Sequence, residues 1–163
     1  KFAHERPEKD GFEILEAVVG AGGKFSDTSN NYAHWQGTGD ESETVLGRWL
    51  ASRGNRDKVV IATKVGFDRH GSGQGLKRSQ IEYWIDESLK KLQTDYVDLY
   101  YAHTDDPDTP LEETMSAFDT LVKKGKVRLL GGSNYDVWRV DDANYVAEKN
   151  GSTPYSVMQQ RFR

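Results

Sequence analysis

KVVIATKV, residues 58–65, is the stretch on which the fold turns. It is short, rich in β-branched residues and lacks polar alternation. That pattern suits a strand covered on both faces rather than one with a wet side. Upstream, Asp10 to Ala21 places Phe12, Ile14, Leu15, Val18 and Val19 at roughly helical spacing, and Gly22–Gly23 stop the helix. Lys24 to Asp27 reads as a short strand, Asn30 to Asp40 as a polar loop, and Glu41 to Arg53 as a helix with the stripe Val45, Leu46, Trp49, Leu50, ended by Gly54.

Downstream the alternation continues. A glycine-rich loop, Gly66 to Gly75, leads to an amphipathic helix over Arg78 to Gln93, with Ile81, Ile85, Leu89 and Leu92 on one face. Tyr96 to His103 reads as a second buried strand. Thr109-Pro110-Leu111-Glu112 predicts a helix start with Thr109 as the cap and Pro110 at the first position; the helix runs to about Lys124. Val127 to Gly131 is a strand, Asp136 to Asn150 a helix, and Ser156 to Gln160 a last strand. Strict strand–helix alternation predicts an α/β fold with parallel strands and right-handed crossovers. A doubly wound open sheet and a (β/α)8 barrel both satisfy it. A full barrel takes about 250 residues. The 163 residues here could supply only five of the eight strands.

Composition narrows the function classes. The chain is 36% hydrophobic and 29% charged, with formal net charge -4. No basic tract marks a nucleic-acid partner. No apolar run approaches the roughly 20 residues that cross a bilayer, so no membrane segment is expected. There is no Cys, hence no disulfide framework, thiol nucleophile or thiolate metal site, which fits a cytoplasmic protein. The four histidines, His4, His34, His70 and His103, are too scattered to suggest a metal cluster.

In parallel α/β folds reactive residues gather at the carboxyl ends of strands. Those ends here carry Asp27 with Tyr32 five residues on, then Lys64, then His103, then Ser133-Asn134, then Gln159. Each alone has an ordinary role: a turn former, a packed ring, a solvated charge, a backbone-bonded imidazole. Together they match carbonyl reduction, which needs a hydride on carbon and a proton on oxygen. A free phenol titrates near 10, a poor match to neutral pH. A nearby ammonium favours the phenolate, so Lys64 is expected to lower the Tyr32 pKa while Asp27 keeps Lys64 charged and fixed. His103 would hydrogen-bond and orient the carbonyl.

Several blocks resemble the aldo-keto reductase family, in order along nearly the whole chain. GGKFSDTSNNYAHW (22–35) with Gly39-Asp40-Glu41-Ser42-Glu43-Thr44 resembles its Asp-Thr-x-x-x-Tyr block and the helix that follows. VVIATKVG (59–66) resembles the Lys strand, LQTDYVDLYYAH (92–103) the segment delivering the His, KGKVRLLGGSNY (124–135) the strand ending in Ser-Asn, and SVMQQRF (156–162) the strand carrying a Gln.

The resemblance implies a (β/α)8 TIM barrel, residues 1–163 forming a single partial barrel domain that lacks the first strand and those after the sixth. It implies NADP(H)-dependent reduction of a small-molecule carbonyl by a tetrad of Asp27, Tyr32, Lys64 and His103. It further implies that Asp27 sits at the cofactor and that Ser133, Asn134 and Gln159 hold the nicotinamide carboxamide. Gln159 is preferred to Gln160 because Phe162 follows it by three. Trp35 would wall an apolar substrate pocket. The family also contains cofactor-binding regulatory subunits of potassium channels, a non-enzymatic alternative; an inactive barrel fragment is another. An open five-stranded piece would expose strand edges and apolar faces, so self-association is expected of it.

Overall fold

The computed structural model describes residues 8–32, 39–67 and 75–161. In chain order these form α1 (Glu8–Gly20), β1 (Phe25–Asp27), α2 (Glu41–Arg53), a 3-10 turn (Arg56–Lys58), β2 (Val60–Val65), α3 (Arg78–Leu92), β3 (Val97–Ala102), α4 (Leu111–Lys123), β4 (Val127–Ser133), α5 (Val137–Lys149) and β5 (Tyr155–Gln159).

The five strands lie in the order β1-β2-β3-β4-β5, and every neighbouring pair is parallel. This decides between the two architectures. A doubly wound sheet reverses its strand order at a switch point. Here each strand adds beside the one before it, so the right-handed crossovers put the helices on one face. The result is half of a (β/α)8 barrel.

Side chains alternate across each strand. On the outer face Ile61, Val65, Tyr100 and Leu130 pack with Trp49, Ile81, Ile85, Leu92, Phe118 and Leu121 from the helices. Each such burial contributes roughly 1.5–3 kcal/mol. Helices α2 and α3 approach closely because Gly47 has no side chain: a Cβ there would lie 2.0 Å from the Lys91 carbonyl oxygen. Inward-facing residues form rows set by the register. Asp27, Ala62, Leu99 and Leu129 share one row; Lys64, Tyr101, Gly131 and Val157 share the next. The register shifts between Leu130 and Gly131, where Tyr155 and Val157 are the respective partners. The extra residue resets the alternation of β5. Tyr155 therefore packs with the helices while Val157 joins Ala62, Leu99 and Tyr101 on the inner face.

At the amino-terminal end of the strands Asp98 organises an ion network. It accepts from Arg56 at 2.7 Å, Arg128 at 2.8 Å and the Ile61 amide at 2.9 Å. Both guanidinium groups also lie over the Tyr96 ring, 4.0 and 4.1 Å from its centroid.

One local expectation is corrected. Thr109 does not cap α4; its hydroxyl donates to Asp106 at 2.6 Å, and the helix begins after Pro110. Asp106 also accepts from the Leu76 amide, so a loop contact outcompetes the local cap pattern.

Candidate active site

The first turn of α2 fixes the strand ends beside it. Ser42 meets Thr28 at 2.8 Å, and Glu43, at 0% exposure, accepts from Thr63 at 2.6 Å. These contacts tie α2 to the end of β1 and to β2, one residue before Lys64. Burial pushes the Glu43 carboxyl above its usual range.

Lys64 points inward from β2 and is 1% exposed. An ammonium has three hydrogens. Here Nζ donates to Asp27 Oδ1 at 2.6 Å, to the Thr28 carbonyl at 2.8 Å and to the Tyr32 hydroxyl at 2.8 Å. Tyr32, half-buried, donates its own hydrogen to Asp27 Oδ2 at 3.3 Å.

His103 follows β3. Its amide donates to the Val65 carbonyl at 2.7 Å, and its carbonyl accepts from Asn134 Nδ2 at 2.9 Å. Its ring lies edge-on to Tyr32, centroids 6.1 Å apart, and 5.3 Å from the Phe67 ring. Nδ1 is 3.2 Å from the Ser29 hydroxyl. Asn134 sits in the left-handed region, φ 53, which turns its amide back onto His103 and onto Ser133 Oγ at 3.1 Å. From β5, Gln159 Nε2 reaches Asp27 Oδ2 at 3.4 Å across the mouth.

Asp27, Tyr32, His103, Ser133, Asn134 and Gln159 thus line one cavity of about 340 Å³, with Gln160 and Arg161 at its rim. Lys64 lies beneath, reached through Tyr32 and Asp27. Trp35 lies outside the described residues. Thr28 joins the site through the Asp-Thr pair of its block, whereas Ser29, Phe67 and Arg161 join it without a motif of their own to mark them.

The electrostatics differ from the sequence expectation in one respect. Burial, and then the charge and hydrogen bond of Asp27, raise the Tyr32 phenol above its ordinary value instead of lowering it. Burial also pulls the Lys64 ammonium below the usual lysine range, with Asp27 opposing. Desolvation disfavours the charged form of both groups, and the sequence shows the partners but not the burial.

A parallel half-barrel with polar and ionisable side chains converging at the carboxyl ends of its strands has them where (β/α)8 barrels build their sites. The chain belongs to the aldo/keto reductase family, whose model matches residues 3–163. It is 42% identical over 160 residues to aldo-keto reductase ausK of Emericella nidulans, covering 92% of this chain and 39% of that protein. It is 38% identical over 170 residues to putative aryl-alcohol dehydrogenase AAD14 of Saccharomyces cerevisiae, covering 99% and 44% respectively. Norsolorinic acid reductase of Aspergillus flavus is 39% identical over 156 residues, at 91% and 39% coverage. The chain therefore spans less than half the length of these relatives. Among the described residues no helix is long and apolar enough to cross a membrane.

Proposed function

We propose that residues 1–163 supply the proton-donating side of a single-domain barrel that reduces an aldehyde or ketone with NADP(H) in the cytoplasm. The observation that carries this reading is the buried Lys64 ammonium held 2.8 Å from the Tyr32 hydroxyl. A relative named for aryl alcohols favours an aromatic carbonyl as substrate.

The residues at the mouth fit a nicotinamide carboxamide. Asn134 uses Nδ2 on His103 and Ser133, which leaves its Oδ1 as an acceptor. Gln159 bonds Asp27 through Nε2 and keeps Oε1 as a second acceptor. Ser133 accepts from Asn134 and retains its hydroxyl hydrogen. Two acceptors and one donor complement an amide's NH₂ and carbonyl. When bound, the nicotinamide supplies the hydride to the carbonyl carbon.

The protein's own groups handle the proton. Tyr32, with its pKa raised, stays protonated at neutral pH and so has a proton to give. As charge develops on the substrate oxygen, the phenol hydrogen moves to it. Lys64, already in place, stabilises the phenolate that remains, with no reorganisation needed at that moment. Asp27 anchors Lys64. His103 orients the substrate oxygen from the opposite wall. Phe25, Val60 and Leu129 are 51%, 37% and 48% exposed on or beside the inner face, so further strands of the longer protein would cover them and the isolated piece would self-associate.

The test uses the full-length protein, an aromatic aldehyde and NADPH deuterated at C4. Deuterium at the carbonyl carbon of the alcohol product supports the reading. Bound NADPH with no turnover of any carbonyl tested would favour the regulatory alternative.

A further inference from the structure

Two side chains point inward from β5. Val157 joins Ala62, Leu99 and Tyr101, and Gln159 reaches Asp27 across the mouth at 3.4 Å. The alternation carries on past the strand end to Arg161, which is exposed and lines the same cavity as Tyr32 and His103. The charges of that cavity do not cancel. Asp27 is held by Lys64 at 2.6 Å, and that ammonium spends its three hydrogens on Asp27, Thr28 and Tyr32. The hydroxyl and amide side chains of the lining are uncharged at neutral pH. Among the described residues no carboxylate pairs with Arg161. Its guanidinium, with five N–H donors, thus stands at the opening as a positive charge that no described residue offsets.

We propose that Arg161 is a specificity-determining residue that takes a carboxylate on the substrate, so that the site favours aromatic carbonyl compounds bearing an acid group. This rests on the reductase reading. Arginine suits the task because its planar fork donates to both oxygens of a carboxylate at once. The reacting carbonyl is directed at Tyr32 and His103, so the acid group lies at another edge of the same ring. The carboxylate is bound and not transformed. The contact sits at an exposed rim, where charge pairs are screened by salt. It therefore acts on the capture of substrate, in KM more than in kcat.

The phosphates of a dinucleotide are the other anions with the chemistry to meet a rim cation. Place decides between the two sources. Gln159 bridges from β5 to Asp27, so the residue one inward step further out overhangs the Asp27–Tyr32 side of the mouth. On the reductase reading that side receives the substrate oxygen. A phosphate held there would occupy the substrate's place.

The test measures kcat/KM of the full-length protein with NADPH for 3-carboxybenzaldehyde and 4-carboxybenzaldehyde, each against its methyl ester. The ester keeps the ring and the electron withdrawal but carries no charge. We expect the wild type to prefer at least one acid over its ester by about tenfold, chiefly through KM, as one charge-assisted hydrogen bond would give. Arg161→Gln should bring that ratio to about one, Arg161→Lys should keep part of it, and added salt should erode it in the wild type. Arg161→Glu should favour the ester. An acid-to-ester ratio that is the same in wild type and Arg161→Gln overturns the proposal. So does an Arg161→Gln variant whose only change is weaker NADPH binding, which assigns the guanidinium to a cofactor phosphate. A second arm needs no turnover: calorimetric titration of the NADPH-loaded protein with benzoate and with benzamide. Benzoate should bind the more tightly to the wild type and lose that advantage in Arg161→Gln. If no aldehyde is reduced, the reductase reading fails, and the benzoate arm still decides: equal affinity of both proteins for benzoate overturns the anion site.

Discussion

Lys64 directs its ammonium at the Tyr32 hydroxyl over 2.8 Å, although the two residues stand 32 positions apart in the chain. β1 and β2 pair in parallel with Asp27 opposite Ala62, which leaves Lys64 one inward position further toward the mouth. The turn after Asp27 then folds Tyr32 back over it. The contact is a product of register.

That contact gives a pH prediction. Removing the cation with Lys64→Met makes the phenolate harder to form. Alcohol oxidation, which needs Tyr32 as the proton acceptor, should move its apparent pKa upward by about 1–3 units. The measurement is the pH profile of kcat/KM in the oxidative direction. An unchanged profile would mean that Lys64 is not coupled to the donor.

Alkaline stability should report the buried phenols. Tyr32, Tyr100, Tyr135 and Tyr155 are all raised above the ordinary value, in each case chiefly by burial. The unfolded chain ionises near pH 10 while the folded chain does not. The stability these groups contribute is fully present below that pH and is lost as pH climbs toward the folded values. Each such phenol steepens the decline by about 1.4 kcal/mol per pH unit. Urea midpoints should be flat in this respect up to about pH 9 and fall steeply by about pH 11. A flat line throughout would show that these rings are not buried as described.

Asp98→Ala should destabilise the fold while sparing the mouth. Asp98 is 8% exposed, and its loss leaves the Ile61 amide and two guanidinium groups without their shared acceptor. The expected cost is about 2–4 kcal/mol, read from the urea midpoint. A cost under about 0.5 kcal/mol would place the ion network among exposed pairs of little worth.

Much of the architecture was legible because parallel strands announce themselves. KVVIATKV and the run before His103 are apolar on both faces, and each helix ends at or near a glycine or a polar stop. Boundaries were less legible. The run from Lys58 reads as strand, but Lys58 closes a 3-10 turn and β2 starts only at Val60. Thr109 has the local pattern of a cap and is taken instead by Asp106, a contact that no local window contains.

The site follows the same division. Asp27, Tyr32, Lys64 and His103 have side chains whose chemistry stands out at strand ends. Ser29 does not: a small polar residue in a turn gains significance only when the sheet brings His103, 74 positions away, to within 3.2 Å of it. The rise in the Tyr32 pKa is invisible in the sequence for a related reason. The sequence shows that a lysine is present, and only the packing shows how far water is excluded.

The central claim is that Tyr32 delivers the proton, and the most direct measurement compares NADPH-dependent reduction of an aromatic aldehyde by full-length wild type and Tyr32→Phe. The ring remains and only the hydroxyl is lost, so NADPH binding by fluorescence titration should be essentially unchanged. The account predicts that kcat falls by about 10²–10⁴-fold. Full turnover by the phenylalanine variant would contradict it.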